Sequence, residues 1–126
     1  MFGSERYGLD PRLVLAVIEV ESSWQNHPPG SDSATGLMQV ETENGTATTI
    51  AKELGVAEYD LNDVSTNIRF GVHLLAQLCA TYQGDLHTVL TAYNRGESGV
   101  ILHMQQTGSA VSMYSTKVLL TMSKFD

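Results

Sequence analysis

From Asp10 onward, the apolar residues of this chain recur at three- and four-residue intervals, in segments cut by Gly, Pro and Asn. That spacing is the helical one, so the chain is expected to be mainly α. Asp10-Pro11 is a start signal, because Asp accepts hydrogen bonds from the free N–H groups of a first turn and Pro has none to satisfy. The helix it opens puts Leu13, Val17 and Val20 on one face, with Trp24 continuing the spacing, and is expected to stop before His27-Pro28-Pro29-Gly30. A short helix is expected over residues 46–54, stopped by Gly55. The cleanest pattern runs from 66 to 82, where Ile68, Val72, Leu75, Cys79 and Tyr82 form one stripe and Gly84 follows. Asp85 caps another helix with Leu86, Val89, Leu90 and Tyr93 inward, and two more follow near 98–106 and 109–123. Residues 30–46 break the rhythm. They are rich in Gly, Ser, Thr and Asn, and predict a long loop with at most a short hairpin. A loop that long inside a compact domain usually serves function.

Composition narrows the class without naming it. A length of 126 residues suits a single domain over 1–126 with a proper core. Cys79 is the one cysteine, so no internal disulfide supports the fold. The longest unbroken apolar run, Leu13 to Ile18, is far short of the ~18 residues that cross a bilayer. Met1 to Tyr7 has no charged start leading into an apolar stretch, so no secretory signal is expected. Fourteen acidic residues against seven basic ones give a net charge of −7, which disfavours nucleic acid and anionic membranes as partners. A monomer is expected.

One carboxylate stands in unusual company. Glu21 follows Val17 and Ile18 by one turn in an almost wholly apolar helix and precedes Ser22-Ser23-Trp24. Apolar surroundings penalise the charged form, so the pKa of such a Glu is expected to rise, toward values where it donates a proton and takes one back. Glu19, two residues away, lies about 200° round the helix and cannot share that site. The plain alternative is a pair of solvated charges at a helix end.

Three further segments bear on that choice: Gly36-Leu37-Met38-Gln39 at the end of the polar stretch, Asn67-Ile68-Arg69-Phe70-Gly71 opening the long helix, and Ala92-Tyr93-Asn94. With Glu21-Ser22, and with Gly36 fifteen residues after Glu21, their order resembles the soluble lytic transglycosylase and goose-type lysozyme family. The likeness covers roughly 9–100, with a weaker echo at Tyr114. It implies a compact lysozyme-like helical domain, needing no cofactor or metal, whose cleft holds a peptidoglycan strand. It implies Glu21 as the acid/base acting on the β-1,4 bond between N-acetylmuramic acid and N-acetylglucosamine. Ser22 would orient that carboxylate or the sugar, and Met38 and Gln39 would line the cleft floor. Tyr93 and Asn94 would sit near Glu21, and Tyr114 would hydrogen-bond it. Each has a plainer alternative: Tyr93 shares a core stripe with Leu86 and Leu90, Met38 suits packing, Gly36 suits a hinge, and Trp24 suits burial as well as sugar stacking.

Departures from the family pattern bear on mechanism. Gly30-Ser31-Asp32-Ser33-Ala34 replaces the Ser-Pro-x-Gly-Ala of many lytic transglycosylases. Val40-Glu41 replaces their Met-Pro and is closer to the Val-Asp of goose-type lysozymes. A lytic transglycosylase needs one carboxylate, whereas an inverting hydrolase needs a second to activate water, for which Glu41 and Asp32 are the candidates. Single-carboxylate chemistry is the expectation. A muramidase, or a dead-site module of a phage or secretion machine, is the alternative. The four histidines lack zinc spacing, Cys79 lies on an apolar stripe as filler, and Asn44-Gly45-Thr46 is a chance match to a glycosylation pattern. Without an export signal, delivery by a phage, or as a domain of a longer exported protein, is expected.

Overall fold

The computed structural model describes residues 8–26, 34–42 and 45–126. Met1–Tyr7, His27, Asp32 and the Asn44 of the glycosylation pattern lie outside the described residues. Helix α1 spans Pro11–Ser22, and the Asp10 carboxylate accepts the Arg12 N–H at 2.9 Å as its cap. Leu13, Val14, Ala16, Val17 and Ile18 are buried along it. The helix ends earlier than its apolar spacing predicts. Ser23 and Trp24 take left-handed φ angles of 52° and 67°, which carry the chain off the helix axis. Trp24 therefore does not continue the inner stripe. It is 45% exposed, meets the edge of Phe125, and approaches Glu19 with its indole N–H at 3.4 Å.

The polar stretch contains the expected hairpin. Strand β1, Ala34–Thr35, pairs antiparallel with β2, Val40–Glu41, with Thr35 opposite Val40 and Ala34 opposite Glu41. Residues 36–39 form the turn, with Gly36 at φ 76° and Gln39 at φ 51°. Helix α2, Thr46–Leu54, follows and stops at Gly55, which is left-handed as its position demands. Helix α3 spans Val64–Thr81, two residues earlier than the stripe alone predicts, because Asp63 caps it by accepting the Thr66 N–H at 3.0 Å.

Helix α4, Leu86–Thr107, is two helical runs meeting at Gly96, whose φ of 80° and ψ of 166° are not helical. The two helices expected before and after this point thus join at a kink instead of a loop. The last helix, α5, spans Met113–Met122 and starts later than 109 because Ser112 and Ser115 form a reciprocal capping box. A 3-10 turn, Ser123–Phe125, closes the chain.

Helix α1 packs on α5, α5 on α4, α4 on α3, and α3 on both α2 and β2. The architecture is mainly α with one small hairpin, as the periodicity predicts.

Asn67, in the first turn of α3, is completely buried in this core. Its amide nitrogen donates to the carbonyls of Thr35 (2.7 Å) and Leu61 (2.9 Å), and its amide oxygen accepts the Met38 N–H at 2.9 Å. One turn later, Gly71 makes room for Met38: a Cβ there would lie 2.4 Å from the methionine sulfur. Asn67→Ala should leave several buried backbone groups without partners, each costing ~1–3 kcal/mol. Urea denaturation should show a loss of ~3 kcal/mol or more; a loss below ~1 kcal/mol would mean the turn has another anchor.

Candidate active site

An open cleft of about 660 Å³ runs between the hairpin, the last residue of α1's carboxylate pair, and the two halves of α4. Glu21 reaches it from the final turn of α1, Gln39 and Glu41 from the hairpin, and Tyr93, Asn94 and Arg95 from α4. Residues from three of the four segments, those carrying Glu21, Gln39 and Tyr93-Asn94, thus line one space, while the segment from Asn67 to Gly71 does not.

Glu21 is half-buried at the cleft wall. Tyr114, 93 residues further along the chain, donates its hydroxyl to Glu21 Oε2 at 2.9 Å. The first turn of α5 supplies that tyrosine, so the α1–α5 packing sets the carboxylate's surroundings. Tyr93 stands nearby and donates its hydroxyl to the Met38 carbonyl at 2.8 Å, fastening α4 to the hairpin turn. Burial, reinforced by the charge of Glu21, pushes the hydroxyl pKa of both tyrosines well above the usual value. Both stay protonated, and both stay donors.

The other expected residues are placed as follows. Gln39 lines the cleft with its amide nitrogen donating to the Gly36 carbonyl at 2.8 Å, so the side chain is braced against its own turn. Asn94 lines the cleft and is exposed. Ser22 is buried, and its hydroxyl donates to the Ile18 carbonyl one turn back. Met38 departs from the expectation that it lines the cleft floor. Its side chain is fully buried, because Gly71 opens a space for it in α3 and the Asn67 amide holds its backbone.

Glu19 points elsewhere, as its angular offset predicts. It accepts from Lys124 Nζ at 2.6 Å, and that lysine holds its carboxyl below the ordinary range. Cys79 is partly buried at the core margin, and burial pushes its thiol up, away from the thiolate that a nucleophile requires. The positioning role of Asn67 is the feature that sequence reasoning missed. Its signal was present: a polar residue at helical spacing from Gly71, Leu75 and Leu78 on the stripe that the long helix buries.

The sequence profile of the transglycosylase SLT domain matches residues 2–113. The membrane-bound lytic murein transglycosylase C of Edwardsiella ictaluri is 35% identical over 126 aligned positions, covering 87% of this chain and 34% of that protein. The transglycosylase of Enterobacteria phage PRD1 is 34% identical over 116, covering 92% of this chain and 38% of that protein. The chain therefore spans about a third of the length of these relatives. Among solved structures, the 70 kDa soluble lytic transglycosylase of Escherichia coli superposes with a TM-score of 0.79 at 22% identity, over 97% of this chain and 23% of that one. An inactive mutant of the lytic transglycosylase Slt from Pseudomonas aeruginosa gives 0.71 at 23% identity, over 94% of this chain and 19% of that one. At those identities the structural likeness speaks for the fold.

The chain has five tyrosines, and burial beside Glu21 raises the hydroxyl pKa of two of them well above the ordinary value. In a spectrophotometric titration of the native protein through pH ~10, the ordinary tyrosine value, Tyr93 and Tyr114 should stay protonated until the protein unfolds. Tyr114→Phe should then remove no absorbance step from the native curve; losing one would show the hydroxyl to be accessible.

Proposed function

The chain belongs to the transglycosylase SLT domain family, and on that premise we propose that it cleaves peptidoglycan strands as a lytic transglycosylase. The bond broken is the β-1,4 link between N-acetylmuramic acid and N-acetylglucosamine. Glu21 gives its proton to the bridging oxygen as the C1–O bond breaks, with positive charge spreading over C1 and the ring oxygen. The now-ionised carboxylate takes the proton of the muramic acid C6 hydroxyl as that oxygen closes on C1. The product is a 1,6-anhydro sugar, no water is consumed, and Glu21 ends as it began.

The observation that carries this proposal is the setting of Glu21: a carboxyl group at the wall of an open cleft, held through one oxygen by a tyrosine whose hydroxyl pKa burial raises. Tyr114 acts as a positioning residue that fixes the plane of the carboxyl group. Tyr93 secures the turn that carries Gln39, and Gln39 and Asn94 offer amide groups to N-acetyl and hydroxyl substituents. The relatives named as lytic murein transglycosylases favour the same chemistry. Action is on the cell wall, by a route consistent with the phage relative or with a domain of a larger exported protein. No helix among the described residues is long and apolar enough to cross a membrane.

One observation favours a second reading. Glu41 lines the same cleft as Glu21, so a hydrolytic muramidase using Glu41 to activate water is the alternative. Asp32, the other candidate for that role, lies outside the described residues.

Mass analysis of muropeptides released from purified sacculi separates the two. Fragments one water lighter, ending in 1,6-anhydromuramic acid, are expected; reducing muramic acid would establish the hydrolase. Glu21→Gln should abolish release while Glu41→Gln leaves it within about twofold; a large loss in the second variant would favour the two-carboxylate route. Tyr114→Phe should lower kcat roughly 10- to 100-fold with KM unchanged, as misplacement of a reacting group does.

A further inference from the structure

Four acidic or basic side chains line the cleft among the described residues: Glu21, Glu41, Glu97 and Arg95. Three are acids in a protein of net charge −7, so the cleft as a whole repels anions. Arg95 is the exception. It is exposed, and among the described residues its guanidinium makes no ion pair and no hydrogen bond, although acids share its cleft.

The backbone around Arg95 is built to hold it there. Gly96 sits at φ 80° and ψ 166°, a region essentially closed to residues with a side chain. The kink it makes brings Gly99 so close that a Cβ there would stand 2.6 Å from the Arg95 Cβ. Two glycines thus give Arg95 its position at the break in α4, where an ordinary helix would have run on.

A glycan backbone of N-acetylated hexoses is neutral and gives a cation nothing to pair with. The peptide stem attached to each muramic acid is different, because it carries free carboxylates. A guanidinium matches a carboxylate with two parallel N–H···O bonds, a geometry lysine does not reproduce.

We propose that Arg95 is a substrate-specificity residue that binds a free carboxylate of the peptide stem, so that the cleft selects strands bearing uncapped stems. This rests on the peptidoglycan reading of the cleft. It gives an acidic protein one point at which an anionic substrate gains contact instead of repulsion.

The test reads binding by calorimetry, apart from turnover, with two soluble ligands: a muramyl-peptide disaccharide with free stem carboxylates and the same compound with those groups amidated. The parent protein should prefer the free acid. Arg95→Gln should weaken binding of the free acid roughly 10- to 100-fold and leave the amidated ligand within about twofold. Arg95→Lys should restore part of the preference, and guards against a glutamine variant that folds poorly. Equal losses for both ligands would assign Arg95 to offsetting the helix dipole and neighbouring acids, and overturn the proposal. So would a parent protein that binds neither ligand or binds both alike. Failure of the cleavage reading shows separately, as muropeptides that are never released by a protein that still distinguishes the two ligands.

Discussion

The side-chain amide of Asn67 ties the hairpin, at two points, to the segment before α3, which no shared helix or sheet ladder joins to it. It donates to Thr35 on β1 and to Leu61 in the segment before α3, and it accepts from Met38 in the hairpin turn. A buried amide with both N–H donors and its oxygen engaged contributes stability, and replacing it leaves backbone groups stranded where water cannot reach. Gly36 sits directly against this amide, with no space for a side chain: a Cβ there would be 2.3 Å from the Asn67 nitrogen. A two-stranded hairpin of two-residue strands is not stable alone. Its shape, and the direction in which Gln39 and Glu41 face the cleft, depend on this anchor and on Met38 seated over Gly71.

Opposite the hairpin, the cleft wall depends on contacts of very different sequence separation. Tyr114 reaches Glu21 from the far end of the chain, while Tyr93 reaches the Met38 carbonyl from α4. Each is a phenol whose ionisation burial suppresses, so each remains a donor at neutral pH. The closing turn adds a brace on the other face of α1: Lys124 pairs with Glu19 and Phe125 meets Trp24 edge-on. The two glutamates of α1 therefore have separate fates, one paired at the outer surface and one at the cleft, as their angular separation on the helix requires.

Acidity bears on the proposed encounter with peptidoglycan. A net charge of −7 gives no long-range attraction to an anionic wall, so recognition of the proposed substrate falls to short-range groups in the cleft. In the proposed reading the Gln39 and Asn94 amides and the Arg95 guanidinium supply these, and the kink at Gly96 places the last of them.

By itself the sequence determined the helical class, most of the element order, the cap at Asp10, the start of a helix after Asp85, the hairpin region, and the singling out of Glu21. These follow from local rules: apolar period, capping residues and the helix angle between Glu19 and Glu21. Only the tertiary structure decided that α1 stops at Ser22, that Met38 points into the core while its carbonyl serves Tyr93, and that Asn67 organises the turn. The partner of Glu21 was likewise decided there, since a hydrogen bond spanning 93 residues leaves no local trace in spacing or composition. Local patterns specify which face of an element is buried, and the packing of elements far apart in the chain specifies what each buried polar atom meets.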